Sequence, residues 1–117
     1  MKWRDGKGDI VREIKRRFSN PVATTSGSGT KFVLKLPEKQ EINHVVIQED
    51  IRLGERVRAY KTEAFVNGKW RQIADGEVVG NKRIQQFANV KTNKIRLTII
   101  KSQAEPVIKN FSVYFVE

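Results

Sequence analysis

Three short polar segments carry the side chains of this sequence best suited to hold a ligand. Glu49, Asp50, Arg52 and Arg56 fall close together, Lys82 and Arg83 are adjacent, and Lys101, Gln103 and Glu105 alternate. They supply carboxylate acceptors, an amide, and guanidinium groups whose N–H forks hold a planar or two-oxygen partner. They do not supply a catalytic pair. Glu49 and Asp50 are neighbours on an extended segment and point to opposite sides, whereas glycoside hydrolysis needs two carboxylates facing one bond. His44 is the only histidine, which excludes a His-pair metal site and the H-E-x-x-H motif. Between Asn43 and Val45 it reads as an ordinary strand-face histidine. The chain contains no cysteine, so thiol nucleophiles, disulfides and zinc-thiolate centres are excluded. No catalytic residue, metal site or cofactor is assigned.

The segments between these groups predict strands. Lys31–Leu36, Ile42–Gln48, Arg56–Val66, Trp70–Ala74, Val78-Val79, Lys82–Phe87, Lys94–Ile99 and Val107–Val116 are short apolar or alternating runs. Thr25–Thr30, Pro37–Gln40, Glu49–Glu55 and Asn89–Asn93 read as loops or turns between them. Asn67-Gly68 is the strongest hairpin signal. Ile95, Leu97 and Ile99 alternate with Lys94, Arg96 and Thr98, the pattern of a half-buried strand. Tyr60 shares a face with Thr62, Ala64 and Val66 and is expected in the core. About eight short strands at regular spacing predict an all-β sandwich or barrel.

Residues 1–19 differ. Ile10, Val11, Ile14 and Phe18 form one apolar face of a short N-terminal helix, capped by Asp9 and stopped by Asn20-Pro21. The expected organisation is a linker and connector helix over 1–19 and a β-sandwich over 20–117. If successive strands run in opposite directions, the loops at Ser26–Thr30, Glu49–Glu55, Asp75–Asn81 and Lys101–Pro106 gather at one end. That end would hold all the candidate binding residues, and loops on a rigid scaffold commonly carry function.

The length, 117 residues, rules out a self-contained (β/α)₈ barrel, which takes roughly 250. No apolar run of membrane-spanning length and no signal-peptide pattern is present. The net charge is +10, with 7 basic and 3 acidic residues in 1–19 and 16 and 10 in the remainder. Such charge attracts nucleic acid or acidic polysaccharide without specificity. The β region lacks the basic-plus-aromatic strand that single-strand binders use for stacking, so nucleic acid is not the expected partner.

Val46-Ile47-Gln48-Glu49-Asp50-Ile51, Gly54-Glu55-Arg56-Val57, Asn67-Gly68-Lys69-Trp70, Ile73-Ala74-Asp75-Gly76, Gly80-Asn81-Lys82-Arg83-Ile84, Ile95-Arg96-Leu97 and Phe111-Ser112-Val113-Tyr114 follow one another in order. Together they resemble the C-terminal discoidin-like (coagulation-factor C-type) domain of bacterial and plant α-L-fucosidases, over residues 20–116. The resemblance implies a galactose-binding-like jelly-roll sandwich. It also implies a monomeric accessory domain of a periplasmic or extracellular enzyme whose catalytic barrel precedes it. The Asp-Gly…Thr-x-Trp segment tied to calcium in many relatives has no match, since Thr24–Lys31 lacks both carboxylate and Trp. No calcium site is expected.

Two roles remain open on this reading. The loop end could bind carbohydrate, for which it has polar groups but no aromatic platform, as Trp3 lies in the tail and Trp70 beside the opposite hairpin. It could instead brace the parent's catalytic domain.

Overall fold

The computed structural model describes residues 21–117, so the expected Asp9–Phe18 helix lies outside the described residues. The strands are β1 (Ala23–Ser28), β2 (Lys31–Glu49), β3 (Val57–Val66), β4 (Lys69–Gly76), β5 (Arg83–Ser102) and β6 (Val107–Tyr114), with one 3₁₀ turn at Ile51–Leu53. All pairings are antiparallel, in the order β1-β6-β2-β5-β3-β4.

The long strands β2 and β5 make this ladder a jelly-roll β-sandwich. Lys31–Lys35 of β2 pairs with Lys94–Thr98 of β5, while His44–Ile47 pairs with Arg83–Gln86. β6 joins β2 only along His44–Glu49, and β3 joins β5 only along Ile95–Ser102. One layer therefore contains β1, β6 and the second half of β2 with the first half of β5. The other contains β4, β3 and the remaining halves.

This architecture corrects the expected strand list. Pro37–Gln40 and Asn89–Asn93 are not turns between separate strands but the places where β2 and β5 bend from one layer to the other. The register breaks between Lys35 and Gln40, so Pro37, which has no N–H to give, sits in an unpaired stretch at no cost to the ladder. Thr25–Ser28, expected as loop, belongs to β1, an edge strand with a bulge between Thr25 and Gly27. Val78-Val79 is not a strand; Val79 is nonetheless buried in the core and Val78 is exposed.

Other expectations hold. Asn67 and Gly68 both take positive φ, 52° and 78°, as the tight hairpin turn between β3 and β4 requires. Ile95, Leu97 and Ile99 face the core with Phe32, Leu34, Ile42, Val45, Ile47, Tyr60, Ala64, Phe111 and Val113. Each Val, Leu, Ile or Phe among them contributes roughly 1.5–3 kcal/mol when taken fully out of water. Thr62 is also fully buried beside Tyr60 and Ala64.

Candidate functional site

Backbone hydrogen bonds tie four loops together at one end of the sandwich. Gly29 N–H donates to the Pro106 carbonyl at 3.1 Å, Glu49 N–H to Gly80 at 3.2 Å, Asp50 N–H to Val107 at 2.9 Å, and Gln103 N–H to Arg56 at 2.9 Å. These bonds fix the 49–56, 77–82 and 102–106 segments as one surface. A bend between layers returns the chain much as a hairpin does, so the loops share this end although the strands are fewer.

Within that surface the candidate residues divide into two sets. Glu49 is 1% exposed. Its Oε1 accepts from the N–H groups of Arg56 at 2.6 Å and Val57 at 3.0 Å. The buried carboxylate organises the loop from within and is closed to a surface ligand, contrary to its expected place among the contact residues. Asp50 caps the 3₁₀ turn, accepting from Arg52 N–H at 3.2 Å and from the Arg52 Nε and Nη2 at 2.9 and 2.7 Å. That guanidinium holds the Asp50 carboxyl down at about 2. Arg56 Nη1 donates to the Glu105 carbonyl at 2.8 Å, and Arg58 Nη2 donates to Gln103 Oε1 at 2.8 Å.

The outward set is different in character. Arg52, Lys82, Arg83, Lys101, Gln103 and Glu105 are exposed, and so are two apolar side chains, Ile51 and Val78. Ile51, Val78 and Arg58 are not among the candidate binding residues expected from the sequence. Ile51 is one of two aliphatic residues, with Leu53, in the Glu49–Glu55 loop, and the sequence does not say which of them faces outward. Arg58 gives no signal, since it lies in a strand and meets Gln103 only through the fold. Among the described residues no group of three or more His, Asp or Glu side chains could hold a metal ion.

No tryptophan of the described residues lies at this end. Trp70, on β4 beside the opposite hairpin, packs edge-on against Phe65 with centroids 5.2 Å apart. The Arg96 guanidinium lies 4.3 Å from its ring centre. Elsewhere, a cleft of about 170 Å³ opens between β4 and the first half of β5, lined by Arg71, Gln72, Ile73, Phe87, Ala88, Asn89 and Val90.

No protein-family model matches the chain. It is 29% identical over 84 residues to α-L-fucosidase 1 of Arabidopsis thaliana, covering 69% of this chain and 17% of that protein. It is 31% identical over 87 residues to a rice protein, from Oryza sativa subsp. japonica, assigned as α-L-fucosidase 1, covering 74% of this chain and 17% of that protein. A solved structure from Bacteroides thetaiotaomicron, assigned as an α-L-fucosidase, superposes with TM-score 0.90 at 48% identity, covering 93% of this chain and 25% of that one. A chitosan-binding module from Paenibacillus shares the fold alone, with TM-score 0.62 at 13% identity over 86% of this chain and 82% of that one. The chain is thus homologous to a minor portion of α-L-fucosidases, and it does not contain the catalytic barrel of such an enzyme.

Proposed function

We propose that this chain is a non-catalytic, C-terminal accessory domain of an α-L-fucosidase and that its loop end docks against the catalytic domain. The observation that carries this reading is how the loop-end polar groups are used. Glu49 is buried, Asp50 is held by Arg52, and Gln103 Oε1 accepts from Arg58. Most of the acceptors a sugar would need are already engaged, and among the described residues no aromatic platform stands beside them. What faces outward is Ile51 and Val78 among Arg52, Lys82, Arg83 and Lys101. A surface of a few apolar groups among polar ones is the usual composition of an interdomain contact.

One observation favours carbohydrate binding as a second reading, at a different place. The β4–β5 cleft sets the half-buried Phe87 beside Arg71, Gln72 and Asn89, an aromatic wall with polar groups of the kind pyranose recognition uses.

An amide NMR titration separates the two. The chain is mixed in turn with fucose, with fucosylated oligosaccharides, and with the catalytic portion of the Bacteroides relative expressed without its matching region. Saturable shifts at residues 51–56, 78–83 and 101–105 on adding the catalytic portion, with none on adding sugar, support docking. Sugar shifts at residues 71–73 and 87–90 support the cleft reading. Silence with the catalytic portion overturns the docking role.

A further inference from the structure

The layer made of the first half of β2, the second half of β5, β3 and β4 carries ordered charge on its outer face. Phe32 and Leu34 of β2 and Ile95 and Leu97 of β5 point into the core. Strand alternation therefore turns Lys31, Val33, Lys35, Lys94, Arg96 and Thr98 outward. Lys61, Glu63 and Phe65 of β3 share this side, because Thr62 and Ala64 between them are fully buried inward. Val33 is 50% exposed, so this side of the sheet is open to solvent.

Register places the cations in two rows. Lys35 stands directly opposite Lys94. Lys31 and Lys61 both pair with Thr98, one from each side. The rows are four residues apart along β2, about 13 Å at the strand rise. Between them lies one carboxylate, Glu63, which is taken up by Arg96 at 2.8 Å and Lys61 at 3.7 Å. Asp75 follows opposite Lys61 on the edge strand β4. Among the described residues, Lys31, Lys35 and Lys94 have no carboxylate partner.

Like charges directly opposite one another destabilise a sheet. Lysine guards edge strands against unwanted pairing, which explains Lys31 and Lys35 on the outer half-strand of β2. It does not explain Lys94, on β5 between β2 and β3. An anion seated between Lys35 and Lys94 replaces their repulsion with attraction to a shared partner. Charge spread in rows over an open sheet suits an extended polyanion, whereas small ligands take concave pockets. Single-stranded nucleic acid stacks on free rings, but here the Lys94 Nζ lies 4.9 Å from the Phe65 ring centre and Arg96 lies on Trp70. A duplex groove admits a helix or a two-stranded ribbon, not a four-stranded face. The cations left over are lysines, point charges without the guanidinium fork that matches a planar carboxylate.

We propose that this face binds a sulfated polysaccharide, with sulfate groups at the Lys35–Lys94 pair and at the Lys31–Lys61 row. The choice of a glycan among polyanions rests on the accessory-domain reading above. The Lys35–Lys94 pair itself lies towards the Asn67-Gly68 hairpin, away from the loops assigned to docking. The test is an amide NMR titration with dextran sulfate, neutral dextran, polygalacturonate and single-stranded DNA, each at two salt concentrations. Dextran sulfate should shift residues 31–35, 61–65 and 94–98, and neutral dextran should shift none. Lys35→Gln and Lys94→Gln should each weaken dextran sulfate binding severalfold and lower its salt slope by about 1. Lys109→Gln removes the same charge from an exposed position on β6, in the other layer, and should change neither. Equal weakening by all three variants, or no shifts with dextran sulfate, overturns the proposal. Tighter binding of polygalacturonate overturns the sulfate assignment, and tighter binding of single-stranded DNA overturns the glycan assignment. Neither result touches docking, and silence with the catalytic portion leaves dextran sulfate binding in place, so the two readings fail separately.

Discussion

The Glu49 carboxylate accepts from the backbone N–H of Arg56, seven residues later, at 2.6 Å and from Val57 at 3.0 Å. One buried side chain thereby closes the loop between β2 and β3. Glu49→Ala leaves two N–H groups without a partner and should lower unfolding stability by about 2–4 kcal/mol, on the scale of charge-assisted bonds. Glu49→Gln keeps an accepting oxygen and should recover much of that loss. Urea unfolding measures both, and an Ala variant as stable as the parent would refute the structural role.

Asp50 gives a pH-dependent prediction. Its folded pKa, about 2, lies below the ordinary carboxylate value near 3.9 because Arg52 donates to it. The pair's contribution is therefore present above that ordinary value and is lost as pH falls through about 2. The carboxyl carbon resonance of Asp50 should titrate near 2 in the parent and shift upward in Arg52→Ala. Both partners meet solvent, so high salt should raise the midpoint as well. A midpoint insensitive to Arg52 would disprove the pairing.

Gly76 lies under the Tyr60 ring. A Cβ there would stand 2.6 Å from the Tyr60 hydroxyl oxygen. That hydroxyl donates to Gln85 Oε1 at 3.0 Å, and Gln85 Nε2 donates to the Asp75 carbonyl at 2.8 Å, which bridges β4 to β5. Gly76→Ala should cost about 1–3 kcal/mol, as overpacking does. Tyr60→Phe should restore part of this by removing the crowded oxygen. Thermal melts of the single and double variants check the coupling.

Arg96 connects two neighbours at once. Its Nε and Nη2 donate to Glu63 Oε1 at 3.0 and 2.8 Å while its flat face lies on Trp70. Lysine has neither the fork nor the plane, so Arg96→Lys should lose about 1 kcal/mol. It should also change Trp70 fluorescence. Unaltered emission would show that the guanidinium does not rest on the ring.

Arg83→Ala tests the docking surface. Arg83 is exposed at the start of β5, so the change should alter stability by no more than about 0.5 kcal/mol. Binding to the catalytic portion should weaken severalfold. A large drop in melting temperature would instead show a structural role.

Much of the fold was legible in local patterns. The Ile95–Ile99 alternation and the Asn67-Gly68 turn are set by near neighbours, and both appear as expected. The continuity of β2 and β5 was not legible, because a polar segment containing Pro37 looks the same whether the chain reverses there or only bends. Partners decide that, and they lie far away in sequence. The candidate loops were placed at one end correctly, but the inward turn of Glu49 depends on where the Arg56 and Val57 N–H groups point. Residue type alone told only that a carboxylate was present, not that it would be enclosed.

The two long strands also bear on how the chain folds. Since β2 and β5 each serve both layers, neither layer can melt and leave the other whole, and unfolding should be a single cooperative step. Ala23 pairs with Val113 across nearly the whole described sequence. Distant pairings of this kind make for high contact order, which places folding in the milliseconds-to-seconds range typical of such sandwiches.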